Sequence, residues 1–211
     1  MKTEQLVASL VADRAGSTRP LERAVGRAVV MGALVSLVIF AIEFGPRVDL
    51  AAAFATWRFD FKLLLVLAAL VAASGACLAM ARPVATRRWR WGVFPVLAVA
   101  AVALSTELAV LPAASWPTSL VGSNAFVCLT AIPLFALAPL AALLLALRRA
   151  APASPALAGA AAGALSAAIA AVIYAFHCFD DSPLFVLTWY SLAAILVVLL
   201  GAAVGHRLLR W

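Results

Sequence analysis

At 211 residues and 66% hydrophobic, the chain carries far more apolar surface than a water-soluble domain of this size can cover, globular chains being about 45–50% apolar. A mean hydropathy of +1.10, with the charges confined to short intervals between long apolar runs, excludes a soluble domain and leaves a membrane protein. The net charge of +7 would suggest nucleic acid in a soluble chain; here membrane topology and anionic lipid account for the excess, and no direct nucleic-acid contact is expected.

Residues 1–23 form a polar-containing tail. Thr3 can cap a short helix with Glu4 in its first turn, which places Leu6, Val7, Leu10 and Val11 on one face and Gln5, Ser9 and Asp13 elsewhere. A stripe this short is marginal alone in water. It can rest on the bilayer, pack on the rest of the protein or dock into a partner's groove. The 23 residues are too long for a signal-peptide apolar region, so no cleaved leader is expected.

Six stretches then have the roughly 20 apolar residues that a membrane crossing needs: 24–44, 61–81, 91–111, 125–147, 155–176 and 184–204. The expectation is an all-α polytopic protein with a single bundle of six transmembrane helices over 24–205 and a short C-terminal end at 206–211. Short connections favour antiparallel packing of consecutive helices and leave no room for a second folded domain. Of the 16 basic residues, 13 fall on the face that carries both termini, and only Arg47, Arg58 and Lys62 fall on the other. By the positive-inside rule both termini are cytoplasmic.

The chemistry-bearing residues follow in chain order. Cys77 lies near the inner end of the second span, too far across the bilayer to join the other cysteines, since a disulfide needs Cα atoms within roughly 7 Å. Glu107, about a turn inside the third span, reads either as a functional ionisable group or as a carboxylate snorkelling to water. Cys128 opens the fourth span after the uncharged outer loop 112–124. Pro133 and Pro139 remove backbone hydrogen bonds at Leu129 and Phe135, as a hinge or simply as the prolines that membrane helices often contain. Gly159 and Gly163 in the fifth span, and Gly201 and Gly205 in the sixth, have the spacing that lets helices approach closely. Cys178 ends the fifth span on the same outer face as Cys128.

That pair admits two readings. It is an outward thiol pair able to react with oxidants or thiophilic ions on a face where disulfides persist, or it is two small buried hydrophobes. Thiolate and imidazole suit soft or borderline ions, so Cys128, Cys178 and His177, with Asp180 and Asp181, are the candidate metal ligands. An imidazolium beside Cys178 would also make its thiolate easier to form. A single His-Cys pair lacks the spacing of a structural zinc site. His177 also reads as an interfacial residue bonded to a carbonyl, and the aspartates as a solvated turn leading into Pro183. No resident cofactor is expected, and no P-loop, nucleophile elbow or metal-hydrolase helix is present.

Several runs carry a resemblance over essentially the full length: Met1-Lys2-Thr3-Glu4-Gln5-Leu6, Gly45-Pro46-Arg47-Val48-Asp49-Leu50, Cys128-Leu129-Thr130-Ala131-Ile132-Pro133, Arg148-Arg149-Ala150, His177-Cys178-Phe179-Asp180-Asp181-Ser182-Pro183 and Trp189-Tyr190. In these the chain resembles the NrsF-type anti-sigma factors. Val48 and Phe179 stand where proline is common in that pattern, and Cys77 has no counterpart in it. The resemblance implies a six-span protein of the bacterial inner membrane that holds an extracytoplasmic-function sigma factor of the sigma-F type inactive in the cytoplasm. It further implies that Cys128 and Cys178 respond to oxidants or heavy metals, with a thiophilic ion only as a transient signal. On that basis Thr3, Glu4, Leu6, Val7, Leu10 and Val11 become candidate sigma contacts, supported by the basic loops at 82–90 and 148–149. A membrane thiol-redox protein, a small metal or solute transporter subunit and a purely structural subunit remain alternatives. The first lacks a C-x-x-C pair and the second lacks polar residues at mid-membrane.

Overall fold

The computed structural model describes residues 5, 18–83 and 87–210. The candidate sigma contacts Thr3, Glu4, Leu6, Val7, Leu10 and Val11 therefore lie outside the described residues. Among those described there is no strand, and six helices are long and apolar enough to cross a membrane. They are α1 (Thr18–Glu43), α2 (Trp57–Met80), α3 (Val93–Val110), α4 (Ala125–Leu147), α5 (Pro155–Ala175) and α6 (Pro183–Leu208).

Local chemistry sets the ends. Thr56 accepts from the Phe59 N–H at 3.4 Å and starts α2 four residues before the predicted 61, because its hydroxyl satisfies a donor that the first turn would otherwise leave free. Ser154 does the same for Leu157 at the start of α5, with Pro155 in the first turn. Past the predicted 204, α6 continues to Leu208; Arg207 occupies its last turn, where a cation favours the carbonyl end of the helix dipole. Two short helices, Leu50–Ala53 and Trp116–Val121, lie in the connections between α1 and α2 and between α3 and α4.

The packing departs from a simple sequential bundle. The central helix is α5, which meets α2, α4 and α6, while α1 lies against α4 rather than against α2. The reason is the small-residue contacts. At Gly159 a Cβ would run into the Gly201 carbonyl and Gly205, and at Gly163 into the Val197 backbone, so α5 and α6 touch backbone to backbone. At Gly32 a Cβ would overlap Pro139, which brings α1 as close to α4. Ser36 on α1 then donates to the Phe135 carbonyl at 2.6 Å, the acceptor that Pro139 leaves without its helical N–H. The interruption at Pro139 is therefore a closed seam between two helices rather than a free hinge. On α1 and α4 the residues meet in opposite order, Gly32 with Pro139 and Ser36 with Phe135, so the pair is antiparallel.

Candidate functional site

The site is built on the seven residues 176–182 that join α5 to α6, and on the start of α4. Phe176 accepts through its carbonyl from the Arg47 N–H at 2.9 Å. The next side chain, His177, places Nδ1 3.0 Å from the Gly45 carbonyl, with its ring edge-on to Phe44 at 4.9 Å. The segment after α1 thus crosses the segment after α5. Gly45 sits at φ +69, a conformation that glycine adopts without steric cost.

Two buried cations then converge on the Cys178 backbone. Lys62 Nζ donates to the Cys178 carbonyl at 2.7 Å, and Arg47 Nη1 donates to it at 3.1 Å. Both also bind Asp181, Lys62 to Oδ1 at 2.8 Å and Arg47 to Oδ2 at 2.7 Å. Arg47 completes a two-point contact with Asp49 at 2.7 and 2.9 Å and lies 4.8 Å over the Phe179 ring. The side chain of Lys62 is fully buried and that of Arg47 is 5% exposed. Hydrogen bonding to Asp49 pushes Arg47 above the ordinary arginine range against the opposing effect of burial, with Asp181 reinforcing it. In return the Arg47 hydrogen bonds hold Asp49 below the ordinary carboxylate range.

Asp180 works in the other direction, onto α4. Its carboxylate accepts from the Ser123 and Asn124 N–H groups at 3.0 and 2.8 Å and from the Asn124 side chain at 2.9 Å. Asn124 is the residue that accepts the first helical bond, from Cys128 N–H at 2.8 Å. Negative charge at the amino end of α4 also meets the favourable end of its dipole. Gly122, at φ +60, permits this approach: a Cβ there would collide with the Phe185 ring and the Asp180 carboxyl group. One loop residue thereby ties the Cys178 segment to the first turn of the Cys128 helix.

Cys128 and Cys178 are both fully buried, free of any disulfide and within electrostatic reach of each other. The buried hydroxyls of Tyr174 and Tyr190 lie beside Cys178. Burial pushes the Cys178 thiol up; the positive charge of Lys62 offsets this in part. Cys77 is also buried, on α2 and away from this cluster. Both thiols are free, and they sit on the two elements that Asp180 ties together. The other candidate ligands are engaged elsewhere: His177 Nδ1 with Gly45, Asp180 with the start of α4, Asp181 with the two cations. Among the described residues no three of His, Cys, Asp and Glu come together to hold a metal ion. The aspartates are fixed partners, not a solvated turn.

Glu107 likewise does not snorkel. It is fully buried on α3, bound by Arg58 at 2.9 Å and by the Ser182 hydroxyl at 2.8 Å. A cleft of about 640 Å³, lined by Thr56, Arg58, Ser119, Asp180, Asp181 and Ser182, opens beside these contacts. Arg47, Lys62, Arg58 and Ser182 were not singled out by sequence reasoning, yet a signal existed. They include all three basic residues on the base-poor face, and each of those three is bound to a carboxylate.

Comparison with known proteins now bears on the assignment. A family model described as negative regulator of sigma F matches residues 10–211. The chain is also similar to the anti-sigma-F factor NrsF of Caulobacter vibrioides, at 30% identity over 223 residues covering 100% of both chains. No solved structure matches.

Proposed function

This chain belongs to the family of negative regulators of sigma F, and from that premise we propose that it is an anti-sigma factor of the bacterial inner membrane, regulatory rather than catalytic. It holds an extracytoplasmic-function sigma factor at the cytoplasmic face and releases it when Cys128 and Cys178 react with an oxidant or a heavy metal. The asymmetry of 13 basic residues against three supports the placement of both termini in the cytoplasm. The observation that carries the reading is the attachment of both thiol-bearing elements to one loop. Asp180 grips the start of α4, while Lys62 and Arg47 grip the Cys178 carbonyl.

In the resting state the thiols are protonated and the loop is held. An oxidant that takes two electrons removes both thiol protons and leaves a sulfur–sulfur bond. A thiophilic cation displaces the same two protons and bridges the sulfurs. The disulfide fixes the two Cβ atoms within about 3.5–4.5 Å, the bridging ion holds them somewhat farther apart, and either product pulls the loop and the first turn of α4 into a new relation. Because α4 is seamed to α1 at Gly32 and Ser36, a shift of α4 is passed to α1 and so to the tail that precedes it, our first candidate for the sigma contact. Moving the bound population from 99:1 to 1:99 requires about 5.5 kcal/mol.

The test is capture of the sigma factor on tagged full-length protein from cells, with and without cadmium or hydrogen peroxide. The double substitution Cys128→Ser, Cys178→Ser is expected to keep capture and lose release. Release that persists in that variant overturns the thiol switch; loss of capture in the unsubstituted protein overturns the anti-sigma reading.

A further inference from the structure

At the other end of the bundle, where α1 begins and α4 ends, a cleft of about 520 Å³ separates the two helices. Arg23, Arg27 and Arg149 stand at its mouth. Among the described residues none of the three forms an ion pair, and the neighbouring carboxylate of Glu22 is taken by Arg82 at 2.7 Å. The cleft exists because its floor is made of small side chains, among them Ala28 and Ala142. Its deeper flanks are apolar: Met31 is 61% and Leu145 59% exposed.

The order of these residues along the helices identifies the occupant. Arg23, Arg27 and Met31 follow at four-residue intervals on one face of α1. With a rise of 1.5 Å per residue, Met31 lies about 12 Å deeper than Arg23. A ligand that fills the cleft must be anionic at the mouth and apolar about two turns further in. A water-borne acidic helix can reach the arginines, but it cannot reach the level of Met31 without entering the hydrocarbon. An amphiphile already in the membrane satisfies both ends at once, and basic pockets between membrane helices are suited to anionic headgroups. We propose that this cleft is a specific site for one anionic phospholipid, its phosphate held by Arg23, Arg27 and Arg149 and one acyl chain laid over the alanine floor beside Met31 and Leu145.

The proposal does not depend on the thiol switch. Full-length protein is reconstituted in mixed phosphatidylglycerol and phosphatidylcholine, extracted in mild detergent and examined by native mass spectrometry. Unsubstituted protein is expected to retain one phosphatidylglycerol per chain in preference to phosphatidylcholine. The triple variant Arg23→Gln, Arg27→Gln, Arg149→Gln is expected to lower that retention by at least about tenfold. Ala142→Leu keeps every charge but fills the floor, and is expected to lower it comparably. Arg207→Gln, a charge outside the cleft, leaves it unchanged. Retention by the triple variant equal to that of the unsubstituted protein overturns the site, as does equal retention of phosphatidylcholine. Displacement of the lipid by millimolar inorganic phosphate overturns the role of the acyl chain. A triple variant that keeps its lipid but loses capture of a protein partner assigns the cleft to an acidic peptide instead.

Discussion

The two ends of this bundle use arginine in opposite ways. At the end bearing the thiols, Arg47 is bound to the nearby Asp49 and the distant Asp181, Arg58 to the distant Glu107, and the fully buried Lys62 to Asp181. At the end where α1 begins and α4 ends, Arg23, Arg27 and Arg149 are exposed and without ion pairs among the described residues. The first group is locked into the fold; the second stands exposed at the surface. The comparison teaches that a charge found against the topological trend carries structural weight, whereas the unpaired charges that follow the trend contribute little to stability.

Breaking the first group should have the largest effect. Lys62→Met leaves Asp181 and the Cys178 carbonyl short of a buried partner and is expected to cost about 3–5 kcal/mol, read as a fall in the thermal midpoint of the detergent-solubilised protein. An unchanged midpoint would erase the contrast. Next comes the seam between the two ends. Ser36→Ala leaves the Phe135 carbonyl without a donor and is expected to cost about 1–3 kcal/mol by the same measurement, with Ser36→Thr milder because the hydroxyl is kept.

A smaller effect comes from pH. Asp49 is held below its ordinary value of 3.8 in the folded protein, so its contribution to stability is complete above that value and is lost as the pH falls through the lowered one. Melting of the unsubstituted protein should therefore lose stability over that acid range, and Asp49→Asn should flatten that part of the profile. The smallest expected effect sharpens the comparison from the other side. Arg149→Gln, exposed and without an ion pair among the described residues, is expected to move stability by no more than about 0.5 kcal/mol in the same melting experiment.

How far the molecule was legible in its sequence depends on range. The six crossings were readable because hydrocarbon thickness fixes their length, and two of the ends that moved did so for local reasons, the Thr56 cap and the cation at 207. The glycine spacings on α5 and α6 announced a close approach, and the structure supplies it. The grip on Cys178 was not legible, since Arg47 reaches across 134 residues to Asp181 and no pattern in either segment names the other. Of the two readings left open for His177, the carbonyl contact is the one seen, at Gly45. Glu107 and its partners Arg58 and Ser182 were obscured because burial depends on which helix lies alongside, which hydropathy does not report. That α1 would choose α4 over its neighbour in sequence followed from one serine and one glycine facing a proline.

Asp181 answers two positive groups and Asp49 answers one of them again, so in this pocket two plus signs meet two minus signs and cancel. Asp180 is matched by the amino end of a helix rather than by a cation. A single ionised sulfur would upset that cancellation in a place remote from water, whereas a sulfur–sulfur link, or a divalent ion between two ionised sulfurs, leaves it intact. The electrostatics around Cys178 therefore favour the start and the finish of the proposed thiol reaction over anything halfway.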